Sequence, residues 1–449
     1  MVTHIFIGCY LNITLKIWVK TGLKRTVKIP YGSDFVEVEL PEERIIAIVG
    51  PKEVEGNPHP EDEVESALDN PVGHPGLRAL AKKGRKTVIL CDDFTRPTPA
   101  YKIMPILLDR LNSVGIKDED VKIVMALGTH RPMRRDEIVE KIGEEAFERV
   151  NEVINHDWKD GDSLINLGRT PNGTPITVNR HVVEADIKIG VGYIVPHRVA
   201  GYTGGAKIVQ PGVCGGDTTG YTHWLSAKFT GEEILGVAEN PVRHEMEEVA
   251  RRVGLDFIVN TVLNAKGEIV KVFAGDFVKA HREGVKEARR IYGVEVPSKA
   301  DVVVCDSHPC DVDMWQAAKG IYATELVVKE GGSIAFITPC WEGVSPEHPD
   351  VLKFGYMSYE NVKKLVESGR LKDLSAAAHI AHVGRVSAEK ARVILYSEGI
   401  SREDTLKLNF EYAESPQEAV DKALAKQGPN SKILVLKNTA ELLPLVAKG

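Results

Sequence analysis

A chain of 449 residues, at about 150 residues per domain, predicts two or three domains. Its content of 43% hydrophobic and 27% charged residues is that of a globular protein and excludes a disordered, collagen-like or membrane-dominated chain. A formal net charge of −7, spread without long blocks of one sign, excludes the basic footprint of a nucleic-acid binder.

In chain order, residues 5–19 are partly apolar, but Asn12 and Lys16 interrupt them, no basic residues precede them and no small-residue cleavage site follows. They read as an extra edge strand or an early start codon, not as a signal peptide or membrane span. Residues 25–30 and 34–40 alternate apolar and polar around Tyr31-Gly32-Ser33, which predicts a β-hairpin. After a polar stretch at 51–75, a strand at 86–91, a helix at 101–113 and a strand at 121–127 set a βαβ order, and hence a parallel sheet covered by helices. A further buried strand, 187–195, ends at Pro196-His197 before a glycine-rich loop. Loops leaving the carboxyl ends of parallel strands are where such folds bind ligands.

A charged helix at 278–291 followed by Pro297-Ser298 marks a boundary near residue 295. Beyond it the order restarts. Strands are expected at 302–305, 333–338, 391–397 and 432–437, with helices at 315–329, 359–368, around 417–426 and from 440. The prediction is an α/β fold of two α/β domains with mainly parallel sheets and an N-terminal hairpin. They are residues 1–295 and a Rossmann-like 296–449, whose last helix is placed to pack back on the first. Six scattered cysteines, Cys9, Cys91, Cys214, Cys305, Cys310 and Cys340, form no CxxC pair and suit a reducing cytoplasm.

Reactive side chains follow directly on several of these strands, where packing gives no reason for them. They are Asp93, Thr95 and Arg96 in Asp92-Asp93-Phe94-Thr95-Arg96-Pro97-Thr98-Pro99, His130 in Gly128-Thr129-His130-Arg131, and His197 with Gly204, Gly205 and Lys207 in the 196–207 loop. His130 and His197 occupy matching positions, and histidine exchanges protons near neutrality, so the pair suits proton transfer on opposite faces of a substrate. Each is otherwise a hydrogen-bonded loop residue. Pro97 and Pro99 stiffen the loop that carries Arg96, as a carboxylate or phosphate clamp needs. Lys207 reads as an exposed lysine, an ion contact to phosphate, or a site of covalent attachment. His223 reads as a helix residue or a metal ligand, and alone it cannot hold a metal. Gln316 and Lys319, three apart, share one helical face in Trp315-Gln316-Ala317-Ala318-Lys319-Gly320.

Together these segments closely resemble the nickel-pincer nucleotide-dependent lactate racemase family over most of the chain. Its D-x-T-R-P segment is met at Asp93, Thr95, Arg96 and Pro97, and its G-T-H-R segment at 128–131. Its H-x-x-A-G-x-[ST]-G-G-x-K segment is met at His197, Ala200, Gly201, Thr203, Gly204, Gly205 and Lys207. The resemblance implies a cofactor, pyridinium-3,5-bisthiocarboxylic acid mononucleotide with nickel, joined covalently to Lys207 and ligated by His223. Asp93, Thr95, Gly204 and Gly205 would bind it. It further implies an isomerase that racemises or 2-epimerises a 2-hydroxy acid by hydride removal and return. His130 and His197 would be its acid–base pair, and Arg96, Trp315, Gln316 and Lys319 would hold substrate in an interdomain cleft. Cofactor synthesis proteins upstream are the expected partners, with no nucleic acid or membrane, and a homo-oligomer is a further expectation.

The chain also departs from that pattern. Trp315 stands where the lactate enzyme has tyrosine, and the local counterpart of its D-x-W-x-x-Q segment, Asp373-Leu374-Ser375-Ala376-Ala377-Ala378, has neither Trp nor Gln. A different, roomier pocket and a bulkier or more polar hydroxy acid are therefore expected. The competing readings are a hydrolase or lyase with a conventional histidine metal centre, and a nucleotide- or nickel-binding protein without turnover.

Overall fold

The computed structural model describes residues 23–82 and 85–447; the expectations for residues 5–19 and Cys9 lie outside them. One six-stranded sheet runs, in spatial order, Ile269–Gly275, Phe257–Leu263, Ile187–Tyr193, Thr87–Asp92, Val121–Ala126 and Glu152–Asn155. Only its first pair is antiparallel. Its central strands are apolar runs buried on both faces, as a helix-covered parallel sheet requires. Successive side chains point opposite ways: Ile89 and Cys91 pack with Ile103, Met104 and Leu107 of the Ala100–Ser113 helix, while Val88 and Leu90 pack with Val242, Met246 and Val249 of the Pro241–Val253 helix.

The second six-stranded sheet is wholly parallel, in the order Glu411–Tyr412, Ala391–Tyr396, Val328–Ile337, Ala300–Cys305, Ile433–Leu436 and Ile45–Val49. Its edge strand, Ile45–Val49, comes from the N-terminal part of the chain. The chain begins this sheet with Ile45–Val49, leaves to build the first sheet, and returns. The Lys24–Tyr31/Asp34–Pro41 hairpin goes with it, laying Val27, Ile29, Val38 and Leu40 on Val302, Val304, Ile433 and Val435. Alternation in the hairpin showed that one face is buried but not which sheet covers it.

Two predicted helices are corrected. The one opening near Trp315 runs Met314–Thr324, and the strand expected at 333 begins already at Val328. The chain after Ala440 forms a short 3₁₀ turn, Thr439–Glu441, and then the strand Leu443–Val446, paired in parallel with Gly293–Val296. Pro444 removes a helical donor and is tolerated in such an edge pair. The terminus thus ends as a strand beside the connecting segment. No described helix is long and apolar enough to cross a membrane.

Candidate active site

The strand Thr87–Asp92 pairs with Ile187–Tyr193 on one side and Val121–Ala126 on the other, so the loop bearing Asp93 and Arg96 lies between the loops bearing His197 and His130. These loops line a cleft enclosing about 1080 Å³, solvent at its mouth included, together with Lys207, His223, Trp315, Gln316 and Lys319. Ten of the twelve residues singled out in the sequence thus meet in one place; Thr95 and Gly205 do not line the cleft but support residues that do. Gln316 and Lys319 reach it from the second sheet's Met314–Thr324 helix, which Asp313 caps through the Gln316 amide at 2.8 Å.

His130 Nδ1 lies 2.5 Å from Asp93 Oδ2, while Asp93 Oδ1 accepts from the Thr95 amide and hydroxyl at 2.8 and 2.5 Å. Burial by itself would raise the Asp93 carboxyl. The hydrogen bond from His130, with Arg96 and Thr95, holds it instead well below the usual carboxylate range. An ionised Asp93 fixes the His130 proton on Nδ1 and leaves a lone pair on Nε2, where the Gln316 amide donates at 2.9 Å. The Gln316 carbonyl in turn accepts from Lys319 Nζ at 2.6 Å and from Arg96 Nη1 at 3.5 Å.

His197 is polarised the other way. Its Nδ1 accepts from the Val199 amide at 3.2 Å, which in the neutral ring places the proton on Nε2. Burial, and then the neighbouring Lys319 and Arg96 cations, keep the imidazole neutral, well below its ordinary pKa. One histidine therefore offers a lone pair at Nε2 and the other an N–H.

Lys207 sits in the 3₁₀ turn Gly205–Ile208. Gly204 and Gly205 have φ of +72° and +57°, and a Cβ on Gly204 would lie 2.7 Å from Asn260 Oδ1, one on Gly205 2.9 Å from the Phe277 carbonyl. Only glycine fits either place. The buried Arg243, which the motif reading missed, ties down the loop by donating to the carbonyls of Ala200, Tyr202 and Gly204. Burial, and then Arg96, Lys319 and Arg243, drive the Lys207 amine well below its usual range, and it has no hydrogen bond or ion pair among the described residues. A neutral buried amine is a nucleophile. His223, within the Gly216–Ala227 helix, donates from Nδ1 to the Thr219 carbonyl at 2.8 Å, leaving Nε2 bare as in a metal-ligating histidine. Burial lowers its pKa to about 4.

Sequence reasoning missed much of the far wall. Asp373 caps the Leu374–Ser387 helix and accepts from His348 Nδ1 at 2.6 Å, and His348 Nε2 meets Thr129 Oγ1 at 3.1 Å. Trp315 stacks between His348 and His379 at centroid distances of 4.0 and 4.4 Å. His379, held by the Tyr322 and Tyr356 hydroxyls at 3.1 Å each, lines the cleft with His382. Imidazoles one turn along this helix thus stand near the position where the Trp and Gln of the resembled motif are absent. Asp92, the last residue of the strand, was passed over; bound by Lys141 at 2.8 Å and Thr98 at 2.5 Å, it braces the loop.

The chain matches the lactate racemase N-terminal domain over residues 31–233 and the lactate racemase C-terminal domain over residues 295–443. It is 34% identical to the lactate racemase of Thermoanaerobacterium thermosaccharolyticum over 71% of this chain and 75% of that one. With the lactate racemase of Lactiplantibacillus plantarum it shares 31% identity over 84% and 89%. The chain belongs to the lactate racemase family. It is accordingly an isomerase. The structure of the lactate racemase apoprotein from T. thermosaccharolyticum superposes with a TM-score of 0.81 at 29% identity, covering 94% of this chain and all 100% of that one. A Thermotoga maritima protein shares the fold with a TM-score of 0.70 at 22% identity over 88% and 100%. The family's α/β architecture is therefore that of this chain, hairpin and parallel sheets included. Among the described residues no group of three or more His, Cys, Asp or Glu could hold a metal ion, so the conventional metal centre of the competing hydrolase or lyase reading has no ligand set there.

Proposed function

We propose that the protein racemises or 2-epimerises a 2-hydroxy acid, with His130 and His197 as its two acid–base groups. The observation that carries this reading is the pair of oppositely polarised histidines on either side of Arg96, in a cleft that also holds a neutral lysine and a histidine with a bare Nε2. Lactate is the substrate named for the relatives; the Trp315 substitution and the imidazole wall favour a larger or more polar acid here.

The residues fit a nickel-pincer nucleotide. Lys207 would hold it through its amine and His223 would ligate nickel through Nε2, one protein donor sufficing because soft sulfur donors of the nucleotide complete the set. When bound, the group supplies a hydride acceptor and donor. Gly204 and Gly205 keep the Lys207 loop close, and Asp93 and Thr95 brace its edge. Lys319 and Arg96 take the substrate carboxylate in place of the Gln316 carbonyl they now hold, and Gln316 then adds its amide donor. His130 Nε2 accepts the C2 hydroxyl proton as the C2 hydrogen departs, leaving a 2-keto acid, and return to the opposite face inverts C2. For the other epimer His197 is the base, which requires its proton to move from Nε2 to Nδ1 and the Val199 contact to open.

The test is to produce the protein together with the nucleotide's synthesis proteins, map any adduct by peptide mass spectrometry and assay nickel, then screen 2-hydroxy acids. An adduct on Lys207 with stoichiometric nickel and inversion at C2 is expected. A bare Lys207 in cells shown to make the nucleotide sinks the mechanism. So does near-normal turnover by either His130→Ala or His197→Ala.

A further inference from the structure

A second chamber of about 480 Å³, solvent at its mouth included, adjoins the cleft; Thr129, His130, Trp315 and Gln316 line both. The steps above do not use it. Its remaining walls include Phe94, Ser345 and Pro346, with Asp313 and Glu342. Arg131, its cation, is engaged by Glu137 at 2.8 and 3.0 Å and reaches Glu342 only at 4.0 Å, so with Glu347 also in the wall the chamber keeps an excess of carboxylate.

The inference rests on the proposed racemase reading. A C2 centre carries four groups. The carboxylate would be held at Arg96 and Lys319, and a hydride acceptor held by Lys207 and His223 would require the C2 hydrogen to face those residues in both epimers. Hydroxyl and tail must then exchange places. In one epimer the hydroxyl meets His130 and the tail lies beside His197; in the other the hydroxyl meets His197 and the tail lies beside His130. A methyl tail fits beside an imidazole, and a longer one needs a void there. We propose that the chamber beside His130 is the tail subsite for the epimer whose hydroxyl lies on His197, and that it accepts an uncharged tail longer than methyl. Asp313 and Glu342 repel a second carboxylate and accept hydrogen bonds from tail hydroxyls.

Ser345→Trp fills the chamber from a wall residue that has no assigned part in the chemistry. With nickel-loaded enzyme, the probes are lactate, malate, and ribonate with arabinonate, a pair of five-carbon acids differing only at C2. The wild type should act on the pair and not on malate. Because the equilibrium constant is fixed, S345W should raise KM by about tenfold or more for one member of the pair and lower kcat by a like factor for the other, leaving lactate within about twofold. Equal KM increases for both members would make the chamber an access path and overturn the assignment, as would insensitivity of the pair to S345W or a wild type confined to lactate. Failure of the wild type to invert any 2-hydroxy acid would overturn the racemase reading and the subsite with it. Should S345W not fold, Pro346→Trp closes the same chamber from its exposed rim and is read the same way.

Discussion

Asp93 and His130 meet at 2.5 Å across two adjacent strand ends, and the buried carboxylate determines which nitrogen of the ring carries the proton. Asp93→Asn would preserve the shape of this contact and lose the charge that selects the Nδ1–H tautomer. We expect kcat to fall on the order of 10³-fold with KM changed little, because Arg96 and Lys319 still hold the carboxylate. A KM effect as large as the kcat effect would show that Asp93 supports binding rather than the base.

Lys207→Met retains the aliphatic stem on the 3₁₀ turn but has no amine through which to hold the nucleotide. Protein made alongside the nucleotide's synthesis proteins should show no mass increment, retain less than about a tenth of wild-type nickel and lose racemisation. Its melting temperature should be that of unmodified wild type, since the lysine amine makes no hydrogen bond or ion pair among the described residues.

Lys319→Met removes the donor 2.6 Å from the Gln316 carbonyl while retaining the length of the stem. A charge-assisted bond to a substrate carboxylate is worth about 2 kcal/mol, so kcat/KM should fall roughly 30-fold. Most of that loss should appear in KM, because the carboxylate is bound equally before and during the reaction. A loss confined to kcat would place Lys319 at the reacting oxygen instead.

Acid should destabilise the protein through buried neutral histidines. His156 donates from Nε2 to the Cys214 carbonyl at 2.9 Å and faces the Asn179 amide with Nδ1 at 3.3 Å, so both nitrogens are satisfied without charge. Burial lowers its pKa to about 4 and that of His379 to about 3, and His281 and His382 lie well below their ordinary value. Between pH 6.5, where an unfolded histidine charges, and the folded values, the unfolded chain binds more protons. Stability therefore declines as pH falls through this window, by about 1.4 kcal/mol per pH unit for each such histidine. Calorimetric melting temperatures from pH 8 to 5 should drop steeply below about 6.5, and His156→Gln should flatten the slope by about one proton. A flat profile would contradict neutral burial.

Much of the molecule was legible in its sequence because it is encoded locally. Apolar runs such as 87–92 and 187–193 announce buried strands, and the reactive loops follow them directly, so Asp93, His130, His197 and Lys207 could be named from order alone. What it could not convey is partnership across the chain. Ile45–Val49 joins a sheet whose neighbouring strand is Ile433–Leu436, and His348, His379 and Trp315 make one stack from three segments. Gln316 touches His130 from 186 residues away. The sequence by itself determined most of the elements and which of their loops carry reactive side chains, since periodicity and loop composition act over a few residues. Only the tertiary structure decided which loops share a cleft, which tautomer each histidine holds and that a second chamber opens beside His130, because those depend on burial and on hydrogen-bond partners that packing brings together from distant parts of the chain.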